Sequence, residues 1–237
     1  MSRPTVLLLH AMPLDERMWE PIREELEHAG YDVVAPALPG PEPLRGLDAW
    51  ARRVLGLVDG AFVPVGSSMG GYLGFELWRQ ARERVAALAL VGSRASPDSP
   101  EQRAARDDSV RVLREQGVEA FWEGMAANLF SGATEEAVVA ESRRIALEQP
   151  VEGLVATLET LRDRPDSRPL LAEIDVPVLV LVGEEDAVTP PADARAMVEQ
   201  LPDARLARIA GAGHLLAVEQ PGELLDALLP FLREMEP

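Results

Sequence analysis

The chain has 237 residues, 47% of them hydrophobic, and a formal net charge of −17 from 23 Lys and Arg against 40 Asp and Glu. That length suits one domain, or one domain carrying an insertion, and the scattered acidity repels phosphate backbones and lipid headgroups, arguing against nucleic-acid and membrane partners. The absence of cysteine excludes disulfides, thiolate catalysis and cysteine-ligated zinc, and it fits a reducing compartment. MSRPTVLLLH lacks a signal-peptide core, and no apolar run approaches the roughly 18 residues that span a bilayer, so the expected location is cytoplasmic. Runs rich in Val and Leu at 6–10, 31–35, 62–66, 85–91, 176–182 and 204–210 predict six strands. Most are continuous rather than alternating, as in strands buried on both faces of a parallel sheet. Helical spacing separates them, with Trp19, Ile22 and Leu26 ahead of Gly30, and 190–201 with prolines at its start. The alternation predicts an α/β fold: a mostly parallel sheet of about six strands flanked by helices, with ligand sites at the carboxyl ends of the strands.

Between residues 96 and 171 the alternation stops. Four helix-like stretches, 101–115, 118–130, 134–148 and 151–162, follow one another between the turn-rich SPDSP and RPDSRP, and predict a helical insertion. Its Phe121, Trp122, Met125, Leu129 and Phe130 are candidates either for the insertion's own core or for the roof of an apolar pocket. Pro64 interrupts the strand FVPVG; lacking an N–H, it belongs at the first paired residue or at a bulge.

After that strand comes Gly66-Ser67-Ser68-Met69-Gly70-Gly71 and a helix-like LGFELWRQ, which sets a G-x-S-x-G pattern between a strand and a helix. Such a turn is so tight that side chains at Gly66 and Gly70 would collide, and it projects Ser68 above the sheet at a helix N-terminus. The competing reading, a phosphate-holding turn, lacks the G-x-G-x-x-G and G-x-x-x-x-G-K-[ST] fingerprints. A serine nucleophile needs a base. Of the three histidines, His28 ends the first helix and His10 ends the first strand. His214 lies in a glycine loop after the last strand and is the best-placed base. An orienting acid is available among Glu184, Glu185 and Asp186; Asp186, deepest in the turn, is favoured. Serine, acid and histidine then follow one another in the chain order of an α/β-hydrolase triad.

The chain resembles the α/β-hydrolase superfamily, and within it the small esterase and 3-oxoadipate enol-lactonase branch. LLLHAMPLDERMW resembles the oxyanion loop, GSSMGG the elbow, GEEDAVTPP the acid loop and GAGHLLAVEQP the histidine loop. The resemblance implies an oxyanion hole from the backbone N–H groups of Met12 and Met69, a core of residues 1–95 and 172–237, and a helical cap of residues 96–171. This chain departs from the family in having Ala11 where the loop usually carries glycine, in Pro64, and in starting almost at the strand that ends in His10.

Together these features predict a serine hydrolase that cleaves a small-molecule ester or lactone without a cofactor or metal; they fix no oligomeric state. The proposed pocket lining is Trp122, Met125, Phe130, Val188 and Leu215 beside Met12 and Met69. Arg94, Arg143, Arg144 and Arg164 are the basic side chains in or beside the insertion. The same triad also serves thioesterases, carbon–carbon bond hydrolases, perhydrolases and menaquinone-pathway lyases. A hydrolase-fold binder without turnover is the alternative from outside enzymology. A metal-dependent hydrolase finds no H-E-x-x-H here.

Overall fold

Six short runs pair side by side, and the central ones, with no polar face to leave in water, are covered by helices on both sides. The structure, a computed structural model, describes residues 3–39 and 44–236. The strands are β1 (Thr5–Leu9), β2 (Val33–Val34), β3 (Phe62–Ser67), β4 (Leu88–Val91), β5 (Val178–Gly183) and β6 (Ala204–Ile209). They form one sheet in the order β2-β1-β3-β4-β5-β6, and every pairing is parallel. β3, β4 and β5 are buried at every residue, whereas β6, at the edge, mixes buried and exposed positions. Alternate residues serve opposite faces. Val6, Leu8, Val63, Val65 and Leu181 pack under α1 (Glu20–His28) and α9 (Pro221–Arg233). Leu7, Leu9, Leu90, Val178 and Val180 pack under α2 (Leu47–Leu55), α3 (Met69–Ala81) and α7 (Pro191–Val198). Each fully buried aliphatic side chain contributes about 1.5–3 kcal/mol, so the strands hold the helices on both sides.

Pro64 proves to sit opposite a bulge. β3 and β4 pair at Phe62↔Val85 and next at Val65↔Ala89, so three steps along β3 meet four along β4. On the other side Pro64 lies opposite Leu7 of β1, a pairing that can run through the N–H and C=O groups of Val63 and Val65. The missing donor therefore faces the extra residue of β4, where the ladder is already interrupted.

Between β4 and β5 lie α4 (Pro100–Met125), α5 (Glu136–Leu147) and α6 (Val151–Arg162). α4 starts with a capping box, Ser99 with Gln102. It breaks at Gly117, whose φ of 84° only glycine adopts readily, so its two halves match the two stretches expected there. Val110, Leu113 and Phe121 pack against Leu154, Val155 and Leu158 of α6 in a small core of their own.

Candidate active site

Because the sheet is wholly parallel, the loops after β1, β3, β4, β5 and β6 all open on one edge. Ser68 follows β3 directly and is the one non-glycine residue with positive φ among those described, at φ 48° and ψ −105°. Such strain costs on the order of 1–3 kcal/mol and persists where the surroundings over-determine it. Here the Ser68 N–H donates to the Val91 carbonyl at 2.8 Å, and the Ser93 hydroxyl donates to the Ser68 carbonyl at 3.0 Å. The two glycines are required by close approach. A Cβ on Gly66 would lie 2.3 Å from the Gly70 backbone, and one on Gly70 would lie 2.0 Å from the Leu9 carbonyl oxygen. α3 starts at Met69; the Gly71 N–H donates to the Ser68 carbonyl at 3.0 Å, and the Met69 and Gly70 N–H groups ahead of it lie beside Ser68 with no backbone acceptor among the described residues.

His214 and Asp186 meet in the loops after β6 and β5. His214 Nδ1 lies 2.9 Å from Asp186 Oδ2 and 3.1 Å from Oδ1, with both side chains buried. A neutral imidazole donating from Nδ1 keeps Nε2 as its acceptor nitrogen. Asp186 also accepts from the Val188 and Thr189 N–H groups at 2.8 Å each and from the Thr189 hydroxyl at 2.7 Å. Burial pushes its carboxyl up, but His214 and the Thr189 donors outweigh this and hold it below the ordinary value. Glu184 and Glu185 are exposed; one pairs with Arg208 at 3.0 Å and the other accepts from the Gly132 N–H at 3.1 Å.

Ser68 and His214 line one cavity of ≈ 290 Å³. Part of its wall is apolar, with Met12, Phe121, Met125, Leu129 and Val188, and part carries Arg94, Asp98 and Arg106. The expected lining needs correction. Met12, Met125 and Val188 line this cavity, but Trp122, Phe130 and Leu215 do not. Trp122 is 2% exposed and belongs to the main core, where Phe130 packs on it with ring centroids 6.1 Å apart; Leu215 is wholly buried there. Neighbours on a helix point about 100° apart, so Phe121, which faces the cavity, turns Trp122 away from it. Met69 lines a second cavity of ≈ 190 Å³ with His10 and Leu38, and Met12 borders both. Of the four arginines singled out, Arg94 lines the Ser68 cavity and Arg164 lies behind it, while Arg143 and Arg144 pair with exposed glutamates.

Residues 6–227 match the family model of the alpha/beta hydrolases. The chain belongs to the alpha/beta hydrolase family. It is 31% identical to a pimeloyl-acyl-carrier protein methyl ester esterase of Aromatoleum aromaticum, over 93% of this chain and 95% of that protein. It is 29% identical to a 3-oxoadipate enol-lactonase of Acinetobacter baylyi, over 74% of this chain and 66% of that enzyme. A thermophilic esterase from Thermogutta terrifontis, solved with malate bound, superposes with a TM-score of 0.91 at 34% identity, covering 99% of this chain and 92% of that one.

Three supporting residues of this hydrolase went unmarked or half-marked in its sequence. His10 is a neutral strut. Its Nε2 accepts from the Leu38 N–H at 2.8 Å, so its Nδ1 donates to the Ala11 carbonyl at 3.1 Å, and burial pushes its pKa down. It thus ties the loop after β1 to the loop after β2. Thr189 braces Asp186; the signal was a Thr three residues after an Asp, the spacing of a side-chain-capped turn. Glu219, in the short helix α8 (Leu216–Glu219), accepts from the Gly213 and Leu215 N–H groups at 2.9 Å each. It also accepts from the Ser131 N–H at 2.8 Å and the Thr134 hydroxyl at 2.6 Å, joining the His214 loop to the segment before α5. A lone glutamate five residues after a histidine carries no sequence signal of that kind.

Proposed function

We propose that this hydrolase cleaves a carboxylic ester or lactone through an acyl-enzyme on Ser68, with His214 as general base and Asp186 as orienting acid. One observation carries the reading: the buried His214–Asp186 contact opens on the same cavity as the strained elbow serine. His214 Nε2 takes the proton from Ser68 as Oγ attacks the carbonyl carbon, and the C=O electron pair moves onto oxygen. The Met12 and Met69 N–H groups donate to that oxyanion. Support comes from Met69 standing first in α3 and from Met12 sharing the Ser68 cavity. The imidazolium then protonates the leaving alkoxide as its C–O bond breaks. A water, deprotonated by His214, attacks the acyl carbon, and Ser68 regains its proton as it departs. Asp186 stays ionised throughout and favours the imidazolium formed at each step.

In this reading residues 96–171 form the cap, because Phe121, Met125, Leu129 and Leu158 of that segment close the cavity over Ser68. Its ≈ 290 Å³ lies at the small end of ligand pockets, which suits a short acyl chain. The relatives described above, a methyl ester esterase and an enol-lactonase, agree with an ester or lactone substrate. The test is hydrolysis of p-nitrophenyl esters from acetate to decanoate by the wild type and Ser68→Ala side by side. Activity that peaks at short chains and falls to background in the variant is expected. Equal activity in the variant overturns the assignment of the nucleophile.

A further inference from the structure

The charged part of the Ser68 cavity is not accounted for by ester chemistry. Asp98 is fully buried and receives Arg94 Nη2 at 3.0 Å, Arg164 Nη1 at 2.6 Å, and Arg106 through Nε. Burial pushes its carboxyl up, but Arg106 and Arg164 more than reverse this and keep it ionised. Arg164 is consumed locally: its side chain is 2% exposed, it donates to the Leu161 and Ser96 carbonyls at 2.8 and 2.9 Å, and it stacks 4.3 Å over the Tyr72 ring. One arginine thus balances Asp98, and Arg94 and Arg106 remain as two further positive charges. Both line the cavity, and Asp98 is the only acidic side chain lining it among the described residues. Arg94 Nε is buried with no hydrogen-bond partner. Charged donors are rarely left so unless something else completes them. In a chain of net charge −17, two guanidinium groups lining the same cavity as Ser68 are a local inversion of the protein's own field.

We propose that Arg94 and Arg106 form an anion subsite that holds a carboxylate of the substrate distant from the bond being cleaved. The substrate class is then the hemiester of a short dicarboxylic acid. A guanidinium fork matches a carboxylate with two parallel N–H···O bonds, and the adjacent Asp98 charge favours a monoanion over a dianionic phosphate. This rests on the Ser68 reading and specifies its substrate.

The experiment compares kcat/KM for p-nitrophenyl hemiglutarate and the neutral p-nitrophenyl valerate in the wild type, Arg94→Gln, Arg106→Gln and Arg94→Lys. The wild type favours the hemiester, a preference weakened by salt. Each Gln variant loses at least about ten-fold on the hemiester, chiefly through KM, and less than about two-fold on the valerate; the Lys variant regains part of the loss. Equal wild-type rates on both substrates, or equal losses on both in the variants, overturn the subsite. Should neither ester turn over, the nucleophile reading fails separately. Calorimetric titration of Ser68→Ala with monomethyl glutarate then decides, and binding no tighter than that of methyl valerate overturns the proposal.

Discussion

Replacing Glu219 by glutamine removes one charge and one acceptor oxygen 5 residues from His214, without touching the proposed reacting groups. Oε2 receives Gly213, Ser131 and Thr134, while Oε1 receives Leu215. In the better orientation the amide oxygen keeps the three donors, but its NH₂ faces the Leu215 N–H, leaving one donor orphaned. An orphaned donor costs about 1–3 kcal/mol, and losing charge assistance weakens the other bonds, so the sum is about 3 kcal/mol. For a chain of this size that lowers Tm by about 6–12 °C. Gly213 and Leu215 flank His214, whose own N–H donates to the Leu129 carbonyl at 2.9 Å, so the slack falls on the imidazole. A misplacement of about 1 Å costs up to about 100-fold in rate. The expected result is a kcat lower by about 30- to 100-fold, with KM changed less than about three-fold. It is measured on a p-nitrophenyl ester at a temperature where circular dichroism shows the variant folded. A variant that loses stability but keeps kcat within about two-fold refutes the reasoning: Glu219 would then staple the loops together without fixing the imidazole.

Asp186→Asn should lower kcat by about 10⁴-fold through the wrong imidazole tautomer, with little change in fold by circular dichroism. Asp186 also makes a pH signature. Because its folded pKa is depressed below the ordinary 3.8, its stabilisation is present above that value and is lost as pH falls through the folded one. Urea unfolding between pH 5.5 and 3 should therefore show a shallower loss in the Asn variant than in the wild type. His10 has the opposite linkage. Its pKa is depressed from 6.5, so below that pH the unfolded chain takes a proton that the fold refuses, and stability declines with acid. His10→Asn should flatten that decline between pH 8 and 5.5, and an unchanged slope would remove the neutral strut. Gly70→Ala should destabilise by about 3 kcal/mol or more, since its Cβ meets backbone at 2.0 Å. Gly222→Ala in α9, with nothing within 4 Å, should leave stability equal or higher by up to about 1 kcal/mol, both read by thermal denaturation.

What was legible in the sequence was what neighbouring residues impose on one another. Continuous Val and Leu runs predict buried parallel strands because a strand with no polar face must be covered twice, and β3, β4 and β5 are so covered. Gly66 predicts the elbow because the collision it avoids is with Gly70, within the same turn, whereas Gly70 itself clears the backbone of Leu9 on β1, a contact that only the assembled sheet creates. Asp186, deepest in its turn, is the acid that meets His214, because the turn itself hides it while Glu184 and Glu185 point outward. Decisions between distant segments belong to the tertiary structure. Whether Pro64 sat at a strand start or a bulge depended on an extra residue in β4, and whether Phe121 or Trp122 reached the cavity depended on how α4 lies on the core. Glu219 gathering Ser131 and Thr134, and Arg94, Arg106 and Arg164 converging on Asp98, join positions up to 88 residues apart. Sterics and hydrophobic period act along the chain and leave their mark in local residue types. Ion pairs, and the direction a side chain faces, are set only when packed elements bring remote residues within a few ångströms, and a single sequence has no local signal for that.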